Sequence, residues 1–556
     1  MSRKQKKRDG DFLLQGAILA VASIVVRVIG LIYRIPLTNI LGDEGNGFYG
    51  YAFEIYSIAL LISSYSLPLA VSKLVSARNA RGEKRNAFRV FVCAFGFAVV
   101  AGLLVALVVF FGSDWISIHF LHAPYSAYPL RVLAFGLFIV AIMGVMRGYF
   151  QGLGTMIPTA ISQIIEQVIN AIVSLVGASY LLKMGMAVAE KKNTSTSLGS
   201  AYGAAGGTLG TVIGALSGCI FLIFVFLIFR KTILRQLKND RTRNQESYGR
   251  IIKIILFTIA PVILSTAIYN ISQTLDLVIF STVMSGQGVE ESKYVALSGI
   301  FTAKYNTLIN IPLAIANALA SSVIPSLTAA VSSGNKEQTF NKIQLAVRFA
   351  MLVAIPSFVG YVVLASPIMQ LLYSDSRMTP ALMLAIGAIS IVFYCLSTVT
   401  NAVLQGINKM TTPVKNAAAS LGIHIVAVLI MLVIFKMNIY SIVVGNIIFS
   451  FCMCLFNGIA IYKEIGYVQE VEKTFVKPLT AAVVMGVVTY AFHLLLDIFM
   501  GGRIATVFSL LVAVMVYAVS ILKLGGLTEV ELLSMPKGTL LVRYCKKLHL
   551  LSGTEE

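Results

Sequence analysis

Apolar runs long enough to cross a bilayer recur along the whole chain, and two of them, 90–111 and 203–229, contain no charged residue. A spanning helix needs about 20 predominantly apolar residues, so the expected fold is an all-α polytopic membrane protein. Composition agrees: 12% of the 556 residues are charged, 57% are hydrophobic and the mean hydropathy is +0.85, where a soluble domain carries about 25% charge. About fourteen spans are predicted, near 12–41, 48–72, 88–112, 129–150, 159–183, 202–229, 253–284, 295–328, 345–372, 380–405, 414–437, 439–462, 478–499 and 503–523. The first run is too long for a signal-peptide core and has no small-residue cleavage site, so it reads as a retained span.

Loop charges orient the spans. Lys and Arg crowd the N-terminus (Arg3, Lys4, Lys6, Lys7, Arg8), the second-to-third connection (Lys73, Arg78, Arg81, Lys84, Arg85, Arg89) and the sixth-to-seventh (Arg230 to Arg250). The alternate connections carry Asp43 and Glu44, then Asp114, then Glu290 and Glu291; Lys183, Lys191 and Lys192 depart mildly from the pattern. Basic connections stay cytoplasmic, which places both termini there. The net charge of +20 therefore reflects topology and contact with anionic membrane lipids, not nucleic-acid binding. The six cysteines show no metal-ligand spacing and read as packing residues.

The chain repeats itself. Leu67-Pro68-Leu69-Ala70-Val71-Ser72 returns as Ile311-Pro312-Leu313-Ala314-Ile315-Ala316, and Gln151-Gly152 with Met156 and Pro158 returns as Gln405-Gly406 with Met410 and Pro413. Each match is displaced by six spans, which predicts two six-helix bundles as a parallel repeat plus two extra C-terminal helices. The implied organisation is a basic N-terminus (1–11), a first bundle (12–229), a basic linker (230–252), a second bundle (253–462), a connection with helices thirteen and fourteen (463–523) and a tail (524–556).

Polar residues inside the spans suggest a hydrated interior. Arg27 and Arg34 are the only charges in 12–41 and fall one heptad apart, on one helix face. A charge at the bilayer centre costs about 2.5–3.5 kcal/mol even on the lenient scale, so two on one face point to a wet, cationic cavity and an anionic cargo. The competing structural reading is snorkelling to the headgroups, strongest for Arg34 near Pro36. Ser162, Glu166 and Asn170 recur at helical spacing, as do Asn270, Gln273 and Asp276, and Lys304, Thr307, Asn310 and Asn317 lie along one stripe; Glu54 stands early in the second span. For the uncharged residues, packing through interhelical hydrogen bonds is an equal alternative; the ionisable ones read as functional. No nucleotide-binding loop, metal cluster or nucleophile constellation is present. The chain thus reads as a transporter rather than an enzyme. It has no cofactor, and its energy comes from the membrane potential, a coupling cation (Na+ or H+) held by Asp276 or Glu166, or a partner protein.

The runs Arg27-Val28-Ile29-Gly30-Leu31-Ile32-Tyr33-Arg34-Ile35-Pro36, Gly42-Asp43-Glu44-Gly45-Asn46-Gly47, Leu67 to Val75 and Arg147-Gly148-Tyr149-Phe150-Gln151-Gly152 resemble the polysaccharide-transport branch of the MOP exporter superfamily. Within it they are most similar to the YtgP/SpoVB group, which includes MurJ-type lipid II flippases. The resemblance implies fourteen helices in a bacterial cytoplasmic membrane and a lipid-linked oligosaccharide cargo, with cell-wall synthesis proteins as partners. It implies that Arg27 faces the cavity, with Arg34 one residue out of register with a second cavity arginine. It places the family's eighth-helix arginine at or near Thr307, where Lys304 one turn earlier would supply the charge. Lipid II flipping leads the readings. A flippase for another lipid-linked oligosaccharide (capsule, teichuronic-type polymer, spore wall) comes second, and a cation-coupled multidrug exporter third.

The topology is directly testable. In intact cells, after removal of native cysteines, Gln287→Cys should react with an impermeant thiol reagent and Asn239→Cys should not. The reverse pattern would invert the assignment.

Overall fold

A lipid-facing backbone must satisfy its own polar groups, which leaves helices and closed barrels. The described chain is helical throughout, with no strand. The computed structural model describes residues 3–64, 66–240, 242, 244–534 and 538–548, with side chains over the same residues except 3–14, 16–17, 260–262, 264–270, 325, 530, 534 and 541. Its helices are α1 (Arg3–Ser63), α2 (Leu67–Ala80), α3 (Lys84–Trp115), α4 (Ala127–Gly152), α5 (Ile157–Lys192), α6 (Ser197–Lys238), α7 (Tyr248–Gly286), α8 (Glu291–Gly299), α9 (Asn306–Ser332) and α10 (Lys336–Val363). They continue as α11 (Ala365–Tyr373), α12 (Met378–Gly387), α13 (Ile389–Gly406), α14 (Thr412–Val433), α15 (Tyr440–Ile465), α16 (Lys477–Met500), α17 (Gly502–Lys523), α18 (Glu529–Ser534) and α19 (Gly538–Lys547).

Twelve stretches among the described residues are long and apolar enough to cross a membrane. The expected fourteen requires Ile18–Ala80, 63 residues long, to make two crossings and α7 to make one more. At 1.5 Å per residue the former is about 95 Å, three times a hydrocarbon core. It is broken at Gly42, whose φ of 67° and ψ of 178° end one helix and begin another. The break orphans carbonyls, and the buried Asn46 answers it: its amide donates to Thr38 O at 2.8 Å and Gly42 O at 2.6 Å. Several spans that read as continuous are interrupted. The second stops at Ser63 and restarts at Leu67, the eighth contains a π-helical turn over Ile300–Tyr305, and the ninth and tenth break at Leu364 and Ala388.

The chain forms two compact units, up to Ala303 and from Lys304 onward. In the first, α5 packs along α6, and α4 bridges α2, α3 and α6. Leu67, Val71, Val75, Val90, Phe91, Tyr149, Leu222 and Ile255 build its core, where the Phe91 and Tyr149 rings lie 4.5 Å apart. The second half of α1 packs on α8, where Tyr51 and Ser298 share a buried 2.9 Å hydrogen bond. In the second unit α13 packs between α9, α10 and α15. Asn457 of α15 donates to Asn401 at 2.8 Å and Thr400 at 3.1 Å of α13 and accepts from Asn416 of α14 at 2.9 Å. The last apolar pair, α16 and α17, pack on one another, with α16 against α10. Arg348 of α10 ties down the connection and the tail through Glu470 at 2.5 Å and through Glu531.

The repeated punctuation does the same work in each unit. Gly152 ends α4 and Gly406 ends α13, and the following helices begin with Pro158 and Pro413 in their first turns, where a missing N–H costs nothing. Each glycine presses on the repeat's proline-bearing helix. A Cβ on Gly152 would lie 2.7 Å from Val75 Cβ of α2, and one on Gly406 2.8 Å from Leu327 of α9. Gly152→Val and Gly406→Val should each destabilise the purified protein by about 1–3 kcal/mol, read as a lowered thermal midpoint. Unchanged midpoints would mean that the helices separate freely there.

Candidate functional site

The first unit carries a ladder of polar contacts on α5. Gly210 and Gly214 bring α6 so close that an added Cβ would sit 2.6 Å from the Asn170 and Glu166 carbonyl oxygens, which fixes the height of both side chains. Arg147 of α4 donates to Ser162 at 3.0 Å and pairs with Glu166 at 2.7 Å. Asn170 donates to the Tyr33 hydroxyl at 3.3 Å and accepts from Ser174 at 2.9 Å. The Ser162, Glu166, Asn170 periodicity is therefore real, but Glu166 is neutralised by an arginine. Arg147 is the single charge within 132–165, so no local pattern marks its partner.

The two first-span arginines behave differently. Arg34 is half-buried, its guanidinium 4.4 Å above the Tyr49 ring across the Gly42 break. Arg27 is exposed and has no ion pair among the described residues. Glu54 is half-buried and accepts from Thr274 of α7 at 3.0 Å; Asp276, two residues further along α7, is fully buried and near enough to Glu54 to act on it electrostatically. Gln273, expected on the same stripe as Asp276, is exposed where Asp276 is buried. The side chain of Asn270 lies outside the described residues.

In the second unit Lys304 departs from its expected role as an open cavity cation. It is 5% exposed, and its ammonium pairs with Asp375 at 2.5 Å. A charge taken out of water must be paired, and Asp375, in the loop after α11, also binds Arg377 through Nε at 2.8 Å. Tyr373 stands 5.9 Å from the ammonium. Thr307 is half-buried and Asn310 exposed. Asp375 lies 71 residues beyond Lys304, so no local pattern announces the pair.

These features define a polytopic helical transporter whose intramembrane charges are mostly paired, with an open arginine in the first span. A family model described as "Polysaccharide biosynthesis protein" matches residues 13–331, and one described as "Lipid II flippase MurJ" matches 195–515. The chain belongs to this family, the polysaccharide-transport branch of the MOP exporter superfamily. It is 26% identical over 498 residues to "Lipid II flippase MurJ" of Bacillus subtilis (strain 168), covering 85% of this chain and 87% of the relative. Its fold matches solved structures, among them these two. One is "Lipid II flippase MurJ, inward closed conformation", with TM-score 0.61 and 14% identity over 91% of this chain and 98% of that one. The other is an inward-facing multidrug resistance MATE family transporter of the MOP superfamily, with TM-score 0.63 and 16% identity over 79% and 94%.

The Lys304–Asp375 pair gives a pH signature. Burial pushes the Asp375 carboxyl up, but hydrogen bonds from Arg377 and Lys304 outweigh it and hold it well below its ordinary value of 3.8. A depressed folded-state value stabilises above the unfolded value and is lost as pH falls toward the folded one. The thermal midpoint should therefore gain an acid-sensitive component below about pH 4 that Lys304→Met/Asp375→Asn lacks. Identical acid profiles would refute the pair's contribution.

Proposed function

We propose that this protein moves an undecaprenyl-pyrophosphate-linked cell-wall precursor, lipid II, from the inner to the outer leaflet of a bacterial cytoplasmic membrane by alternating access. Both termini are then cytoplasmic. The observation that carries the reading is Arg27, an exposed guanidinium in an otherwise apolar stretch of the first span, in a chain matched by the lipid II flippase family model. A guanidinium fork suits phosphate oxygens better than an ammonium does. Arg34 contributes the second positive charge, held at fixed height by Tyr49. Lys304 is engaged by Asp375, so Thr307 and Asn310 serve on that helix as hydrogen-bonding groups for the sugar head.

An inside-negative potential favours outward movement of an anionic head by about 2.3 kcal/mol per charge per 100 mV. Were a cation coupled to transport, Glu54 and Asp276 are better suited than Glu166, whose charge Arg147 already answers. The match of residues 13–331 to a polysaccharide biosynthesis family favours a second reading, a flippase for another lipid-linked oligosaccharide with the same pyrophosphate-polyprenyl end. The fold shared with a multidrug transporter is weaker support for export of cationic drugs, which would meet repulsion at Arg27.

Expression of this chain should rescue a bacterium depleted of its resident lipid II flippase. Arg27→Ala should fail while inserting normally, since it removes a charge-assisted contact of about 1.5–3 kcal/mol, and Arg27→Lys should rescue partly. Failure of the parent chain despite good insertion would move the assignment to the second reading. Full rescue by Arg27→Ala would end the phosphate role of that residue.

A further inference from the structure

α6 is 42 residues long, about 63 Å at 1.5 Å per residue, and its charge-free stretch stops at Phe229. The remaining turns, with Thr232 and Arg235, thus project past the hydrocarbon to headgroup depth. There the segment joining α6 to α7 folds back on the α2–α3 turn. Arg78 grips Glu246 through Nε at 3.1 Å and a second nitrogen at 2.5 Å, Arg89 donates to Glu246 O at 2.7 Å, and Arg85 donates to Leu237 O at 3.0 Å. These ties hold open a cleft of about 920 Å³ between the two segments.

The cleft's lining carries three cations, Arg81, Lys84 and Arg235, against two carboxylates, Glu83 and Asp240, whose oxygens already accept hydrogen bonds from neighbouring groups. Asp240 accepts from the Arg85 N–H at 2.6 Å and from Thr242 N–H at 2.9 Å and hydroxyl at 2.6 Å; Glu83 accepts from Asn86 at 3.0 Å. Arg81 and Arg235 line the same cleft, are exposed and have no ion pair among the described residues, and Lys84 binds only the neutral Asn79. Thr232, Asn239 and Asn244 add neutral hydrogen-bonding groups. We propose that this cleft binds a phosphate-bearing anion, either the headgroup of an anionic phospholipid or soluble phosphate. Two guanidinium groups that form no ion pair among the described residues, with a third cation beside them, leave an excess of positive charge and free donors suited to phosphate oxygens, and basic pockets at a cytoplasmic membrane face take anionic headgroups. The site is separate from Arg27 and stands whether or not the flipping assignment does.

The test uses full-length, delipidated protein. One arm titrates phosphatidylglycerol in mixed micelles against phosphatidylcholine at equal mole fraction, counting bound lipid by native mass spectrometry; the other measures inorganic phosphate by equilibrium dialysis. Arg81→Gln/Arg235→Gln should weaken saturable binding by about tenfold or more, and Lys183→Gln/Lys192→Gln should leave it unchanged. A loss confined to phosphatidylglycerol identifies the lipid, and one confined to phosphate identifies the soluble anion. Should the double variant melt early, Thr232→Glu, at an exposed position, must produce the same loss by repulsion. Undiminished binding in both arms by a folded cleft variant, or no saturable binding by the parent, overturns the proposal.

Discussion

A charge within a lipid-facing span must be paired, hydrated or moved to the headgroups, because hydrocarbon returns nothing for its lost hydration. That constraint sorts this molecule's interior. Arg147 is paired with Glu166, Lys304 with Asp375, and Arg348 with Glu470 and Glu531. Arg34 is shared with an aromatic face. Arg27 alone among these is exposed and unpaired among the described residues. Arg147–Glu166 ties two consecutive helices, whereas Lys304–Asp375 and Arg348 with Glu470 and Glu531 tie segments far apart in sequence; partner loss at such sites strands a buried charge.

The helical membrane fold was legible because apolar length and loop charge are one-dimensional properties. The duplication was legible because its glycine and proline punctuation has a steric job that apolar residues cannot do. Helix interruptions were less visible. Gly42 sat in a recognisable turn, but the breaks at Leu364 and Ala388 fall within apolar runs, where hydropathy does not change. Partners were least visible. Periodicity put Ser162, Glu166 and Asn170 on one face, yet nothing in it says that Arg147 faces them. A stripe likewise made Lys304 look available, while its acid waits 71 residues on.

Membership of a lipid-carrier family and the paired interior fit together physically. A carrier for a bulky amphiphile needs helices that keep their internal bonds while its interior is wetted and closed, and buried ion pairs within a unit provide that. Neutral hydrogen-bond bridges such as Asn401–Asn457–Asn416 do the same without charge.

The Gly42 break has a mechanical meaning. Asn46 supplies a side-chain donor to two carbonyls beside the break, Thr38 O and Gly42 O, so part of the hydrogen bonding given up at the bend is recovered locally. Arg34 and Tyr49 close the angle as a strut from one arm to the other. A cation–π contact is worth about 0.5–2 kcal/mol, so releasing it shifts the equilibrium by only about 2- to 30-fold. The contact therefore favours this bend without locking it.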